Sequence, residues 1–407
     1  MAQRMVLRLC GLFGIVVLSG CRPSAPPVFP TWFTPPAEYE PAEQSSNAFD
    51  AYARAAGAAK SADPVGISRV SFTPGQKAKS LQLLEPSMKI MVGALGQGAR
   101  LPSRAFSPFQ AMPYQSEWRH LGRAFLWRLD SALEEKRSGD AERTVQLISQ
   151  FSFDLMGGSA MDADLGLTLL DDMRKVILGR IDRLEPSLQA SLANLLTKQI
   201  PNNPWLEPTL DQERMRMMAS VQAVQDAYEK QDDKQLRELL GPEVREAIEY
   251  FKRLRGKSGT DQVQYFTGFA KEVDIELALI RSRMALPVNQ RPDYEDMEGA
   301  RPWRRFSKHL VRTMRPLLLK ADRTETRTKM LILDLRIRAV VQVSGFAPPD
   351  LTVHPENLRL DPYSGKSFSY DADGPAYKLY SVGVNGVDDG GMTDDSSVAP
   401  DLTLERP

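Results

Sequence analysis

The chain is poor in the residues that carry the commonest enzyme chemistries. Its 407 residues include two cysteines and three histidines. Two cysteines exclude a disulfide-built scaffold. His120, His309 and His354 are scattered, and no H-E-x-x-H or other paired-ligand spacing joins them. A G-x-S-x-G elbow and a Ser-x-x-Lys pair are both missing, which removes the usual signatures of a serine nucleophile. Net charge is missing too: 52 basic side chains face 52 acidic ones, so the balance makes no case for nucleic acid as a partner. No apolar run approaches the roughly 20 residues of a bilayer span. What remains is ordinary globular composition, 42% hydrophobic and 26% charged, in a chain long enough for two or three domains.

The N-terminus reads as an address. Arg4 and Arg8 precede a ten-residue apolar run, Leu9 to Leu18, with no acid between them. A positive start followed by a short hydrophobic stretch fits an export signal. Leu18-Ser19-Gly20-Cys21 then resembles the lipobox of bacterial lipoproteins. Small residues at positions 19 and 20 admit a peptidase, and the Cys21 thiol is the nucleophile that accepts a diacylglyceryl group. Each buried methylene contributes about 0.8 kcal/mol, so two or three acyl chains anchor firmly where one would not. The resemblance implies a mature chain that starts at Cys21, faces the periplasm or the exterior, and has no second cysteine for a disulfide. Arg22 is not acidic, and acid at that place often retains lipoproteins at the inner membrane, so Arg22 favours the outer membrane.

Residues 22–46 hold seven prolines in 25 positions and are expected to form a tether. Proline has no N–H and a fixed φ, so neither helix nor sheet runs through such a segment. In polyproline II form it would reach roughly 75 Å. Phe29, Trp32, Phe33 and Tyr39 are unusual for an inert spacer; docking on the body and lying at the lipid interface are both open.

From Asn47 onward helix signals dominate, and the fold class is mainly α: an irregular antiparallel bundle over 47–319 with a small C-terminal α+β hairpin module over 320–391 and an acidic, disordered tail at 392–407. Asn47 caps an Ala-rich segment to about Lys60. Thr73-Pro74 opens a helix in which Leu81, Leu84, Met88, Met91, Val92 and Leu95 share a face, and Pro86 is expected to start a new turn or bend it. Ser116 opens the next, stopped at Gly139; Asp140 and Ser159 open two more, with a stop at Gly157-Gly158. Further amphipathic segments lie near 187–200, 208–230, 242–256, 260–286 and 303–343. Trp118-x-x-Leu121-Gly122 matches the opening of a tetratricopeptide repeat, but Glu134 stands where that repeat has Ala and no second copy follows 34 residues on. A bundle is therefore preferred to a solenoid.

Near the C-terminus, Lys366–Tyr370 and Tyr377–Val382 flank Asp373-Gly374-Pro375 and read as a hairpin. Asp361-Pro362, Tyr370 and Leu379-Tyr380-Ser381-x-Gly383, followed by Asn385-Gly386-x-Asp388-Asp389-Gly390-Gly391, resemble the C-terminal region of the major pseudopilins of type II secretion. The resemblance covers about 70 residues and implies a helix before the hairpin and calcium in the acidic loop. The pilin cleavage motif and long apolar N-terminal helix are absent, so assembly into a fibre does not follow. The whole arrangement also resembles a class of exported helical proteins of environmental bacteria with no assigned activity.

Candidate sites are few. Asp388, Asp389, Asp394 and Asp395 flank two glycines and could wrap a hard cation such as Ca²⁺, although the spacing is not that of an EF-hand. Residues 301–338 hold twelve Lys or Arg against Asp322, Glu325 and Asp334, which suits either anionic envelope material or ion pairing with the acids at 272–298. Gly256-Lys257-Ser258 and Gly365-Lys366-Ser367 look like half phosphate loops, but Phe251 and Leu360 stand where the first glycine belongs. Asp171-Asp172 are helix neighbours that point about 100° apart. The sequence reading is a lipid-anchored envelope protein with a non-catalytic binding or scaffolding role, its partner an envelope protein or an anionic polymer. The alternatives are an envelope hydrolase using acidic residues in a cleft between helices, and an accessory of a secretion or pilus system.

Overall fold

Short polar side chains decide where the helices begin. Asn47 accepts the Phe49 N–H and starts α1 (Ala48–Ala62); Asp63 accepts the Gly66 N–H and starts the short α2 (Pro64–Ser68). Thr73 and Gln76 form a reciprocal capping box at the head of α3 (Pro74–Val92). The structure, a computed structural model, describes residues 27–37, 39–103, 112–200, 205–240, 245–291, 314–392 and 401–404. Thirteen α-helices lie among these residues. They continue with α4 (Gln115–Glu134), α5 (Ser138–Leu155), α6 (Ala160–Arg180), α7 (Pro186–Gln199), α8 (Glu207–Glu229), α9 (Asp233–Leu240), α10 (Arg245–Arg255), α11 (Gly259–Met284), α12 (Met314–Ser344) and α13 (Glu356–Arg359).

Three sequence expectations shift. α4 begins at Gln115, not after Ser116, because Tyr114 at φ 71° makes the entry turn without a side-chain cap. Gly139 does not end that helix; Lys136 at φ 59° does, and Gly139 lies in the first turn of α5. α3 runs unbroken through Pro86.

α1, α3 and α4 pack together, α5 lies against α4, α6 and α7, and α8 against α11. α12 then returns across α6 and α7. That return distinguishes a bundle from a solenoid, in which each repeat touches only its neighbours. Trp118, fully buried, donates its indole N–H to Tyr52 O at 2.9 Å and ties α4 to α1. Gly166 lets α6 approach α5 closely: a Cβ there would stand 2.4 Å from Ser152 O.

The C-terminal module is a single antiparallel hairpin, β1 (Ser369–Asp373) and β2 (Ala376–Tyr380), with Tyr370 opposite Leu379 and Gly374 turning at φ 62°. It leans on α12, where the Tyr377 hydroxyl donates to Asp334, itself paired with Arg338 at 2.9 Å. Residues 401–404, expected in a disordered tail, come back to the module: Ser381 and Leu402 exchange two backbone hydrogen bonds of 2.9 Å.

The proline-rich segment also docks. Trp32 donates its indole N–H to Gln225 Oε1 at 2.7 Å and its backbone N–H to Gln222 Oε1 at 2.8 Å. Phe29 sits edge-on to Tyr228 and Phe266, with ring centroids 6.1 and 5.6 Å away. At the far end the Tyr39 hydroxyl donates to Asp50. The aromatics that made the segment unusual hold it on α8, α11 and α1, so it is not a free spacer from Pro27 onward.

Candidate functional site

A shallow groove lies where α12 crosses the start of α7. Apolar residues at helical spacing on α12 (Ala339, Val340 and Val343) face Pro186 and Ala190 across a groove of about 560 Å³. Pro186 at the first turn of α7 removes one of the N–H groups that a helix start leaves unpaired. Val340, Val343 and Phe346 remain 41%, 79% and 67% exposed beside it, a row of apolar side chains with no cover.

Ser187, Arg336, Ser344 and His354 are the polar residues of the described lining. Arg336 is held by Asn194 Oδ1 and Thr197 Oγ1, both at 3.3 Å. His354 is buried, its Nε2 has no hydrogen-bond partner, and burial followed by the Arg336 charge pulls its pKa below the usual histidine value. It is therefore a neutral imidazole at neutral pH. Ser344 is spent on the backbone carbonyls of Val340 and Phe346. Among the described residues no carboxylate lines the groove, whose chemistry there is that of shape and apolar contact with a guanidinium and an imidazole at the rim.

The acidic loop is built differently from its sequence expectation. The Asp388 carboxylate accepts from Tyr380 Oη and Gly390 N on Oδ1 and from Ser369 Oγ on Oδ2, and these bonds lower its pKa. Asp389 accepts from Asn385 at 3.1 Å. Asp394 and Asp395 lie outside the described residues. Asp401, which sequence reasoning passed over, is the buried member: Oδ2 accepts the Asp389 and Gly391 N–H groups at 3.1 and 2.7 Å, while Oδ1 has no partner. Burial raises its pKa. No group of three or more His, Cys, Asp or Glu among the described residues is placed to hold a metal ion. Against a hard cation, the orphaned Asp401 oxygen and Asp389 fit as donors, whereas Asp388 is already committed to hydrogen bonds.

The pseudopilin-like pattern acquires a physical role. Asp361, 1% exposed, accepts from Tyr363 N and Ser381 Oγ on one oxygen and from Val382 N on the other. The Asp-Pro turn and the Tyr-Ser-Val-Gly stretch are thus pinned together across twenty residues of sequence.

Other candidates disperse. Asp171 and Asp172 face separate cations, Arg174 at 3.6 Å and Lys175 at 3.8 Å, and do not converge. Ser258 is the N-cap of α11, and Gly365-Lys366-Ser367 is part of a turn closed by Leu360 and Ser367. In the described part of the basic 301–338 stretch, Lys320 meets Asp164 at 2.6 Å and Arg338 meets Asp182 at 2.5 Å, while Lys329 pairs with Glu325 on its own helix. Of the acids at 272–298, Asp274 pairs with Arg214, and Asp293, Glu295, Asp296 and Glu298 lie outside the described residues. Cys21 and His309 lie outside the described residues. His120 belongs to a buried cluster that spacing did not reveal. Its Nε2 lies 2.9 Å from Asp63 Oδ2, and Ser80 donates to the same oxygen at 2.7 Å. The serine therefore gives its proton to the aspartate and not to the histidine, which makes the cluster a clamp between α2, α3 and α4 and not a nucleophile. Comparison with protein-family models, curated proteins and solved structures finds no match to this chain. Among the described residues no helix is long and apolar enough to cross a membrane.

Proposed function

We propose that this chain is a lipid-anchored protein of the bacterial cell envelope with a non-catalytic binding or scaffolding role. Cys21 carries the acyl anchor, the body faces the periplasm or the exterior, and Arg22 favours the outer membrane. The observation that carries the binding role is the set of apolar side chains Val340, Val343 and Phe346, exposed at and beside the groove between α7 and α12. Uncovered apolar side chains contiguous with a groove are what a docking partner buries. The hydrolase alternative needs two carboxylates converging on a cleft, and none stands among the described residues that line this groove. The test is crosslinking in intact envelopes from a photoreactive residue at position 343. A discrete adduct that Phe346→Glu eliminates, with mass spectrometry showing acylated Cys21, supports the reading. An adduct insensitive to Phe346→Glu, or a bare Cys21 thiol, defeats its binding half or its anchoring half respectively.

A second reading, an accessory role beside a secretion or pilus machine, is favoured by the pinned Asp361–Ser381 arrangement in the pattern shared with pseudopilins. Calcium belongs to that reading, with Asp389 and Asp401 as donors. Millimolar calcium should then raise the melting temperature of the chain, and Asp389→Asn plus Asp401→Asn should abolish the rise. No shift in the unaltered chain would remove the ion.

A further inference from the structure

The docked N-terminal segment has a direction. Trp32 sits on Gln222 and Gln225, Phe29 on Tyr228 one turn further along α8, and Pro27 reaches the first residue of α11. There a Cβ on Gly259 would meet Pro27 Cβ at 3.2 Å, so the absent side chain makes room for the chain to pass. The described strap therefore ends, on its Cys21 side, at the joint between α10 and α11. Six residue steps separate Pro27 from Cys21, and covalent geometry limits them to about 22 Å.

The surface at that exit has a definite chemistry. Between Tyr250 and Thr260 the chain places Lys252, Arg253, Arg255 and Lys257 with no acid among them. Arg255 is turned inward, over the Tyr228 ring and onto Asp233 at 2.9 Å. Lys252, Arg253 and Lys257 are exposed. Lys252 touches Glu249 at 2.9 Å, while Arg253 and Lys257 form no ion pair with any described residue. Lys257 lies two residues from Gly259, beside the strap exit.

We propose that the α10–α11 joint is the membrane-facing surface of this protein, held against phospholipid headgroups by the docked strap. The inference rests on the lipid-anchor reading. A short leash fixes which surface meets the bilayer, and exposed cations there add attraction to anionic headgroups, the second signal that reinforces an acyl anchor. The bound strap thereby converts a proline-rich segment able to extend roughly 75 Å into a close mount.

The test supplies the anchor chemically, so that it does not depend on processing in the cell. The leaderless chain beginning at Cys21 is coupled through that thiol to a maleimide phospholipid in vesicles containing phosphatidylglycerol, with a fluorescent amino acid at position 257 and an energy acceptor on the headgroups. Strong transfer is expected with the strap docked. Phe29→Ala plus Trp32→Ala should lower it, because the limit on stand-off moves from about 22 Å to roughly 55 Å, the reach of the 18 residue steps back to the Tyr39–Asp50 contact. Lys252→Glu plus Arg253→Glu should lower it on anionic vesicles and leave it unchanged on neutral ones. Weak transfer in the unaltered chain, or transfer indifferent to strap release, would overturn the proposal; indifference to charge reversal would overturn the headgroup contact. A bare Cys21 in protein from its native envelope would sink the anchor reading separately.

Discussion

Releasing the strap should be measurable without membranes. Trp32→Ala removes an indole that is partly buried on α8 together with its N–H bond to Gln225 Oε1. A half-covered tryptophan ring loses on the order of 100 Å² of contact, about 2.5 kcal/mol at 25 cal/mol/Å². The hydrogen bond adds about 1 kcal/mol or less. A loss near 3 kcal/mol raises the released population roughly a hundredfold. Chymotryptic cleavage of the Phe33–Thr34 bond reads that population directly when opening is fast relative to cutting. Cleavage at this bond should therefore accelerate by about two orders of magnitude. Trp32→Phe, which keeps most of the ring and loses the N–H, should show roughly a tenth of the effect. An unchanged cleavage rate in Trp32→Ala would refute the docking energetics and, with them, the short leash.

Three further outcomes follow from packing and charge. Gly166→Ala should cost about 2 kcal/mol in chemical denaturation, because the new methyl stands 2.4 Å from a backbone carbonyl that cannot rotate away, and overpacking outweighs the roughly 1 kcal/mol gain in helix propensity; a stabilised variant would contradict the close α5–α6 crossing. Asp154, buried beside the Tyr52 hydroxyl at 2.6 Å, has its pKa raised by burial to about 6 from 3.8. Its unfolded form loses the proton first, so stability present at pH 4 should fall by up to about 3 kcal/mol as pH rises to 6, and Asp154→Asn should flatten that slope. Asn47→Ala should cost about 1–2 kcal/mol and speed amide exchange at Arg100, since Asn47 Oδ1 accepts both the cap N–H of Phe49 and the Arg100 N–H; protected exchange at Arg100 would count against it.

Much of the helical order was legible locally. Asn47, Thr73 and Ser159 each stand at a helix start as their side chains predict, because a cap requires only the residue and the backbone two or three positions on. The hairpin turn at Gly374-Pro375 was legible for the same reason. α2 and α9 escaped notice because they are too short to show a period. The site was less legible. Val340 and Val343 lie in or at the end of the amphipathic segment expected near 303–343, and which of its apolar side chains stay bare, these two at 41% and 79% exposure, depends on where α7 comes to lie. Asp401 carried no signal beyond being one more aspartate near the end of the chain.

Neighbouring residues alone were enough for the mainly helical class and the hairpin, since helical spacing, caps and turn residues act over a few positions. Tertiary structure decided which surfaces are used. It turned a proline-rich spacer into a strap, because aromatic side chains find cover on α8 and α11. It paired Lys320 and Arg338 of α12 with Asp164 and Asp182, which lie far away in sequence. It left one apolar row bare. Burial and ion pairing depend on what comes to lie opposite, and nothing within a few residues of Val343 or Trp32 specifies that.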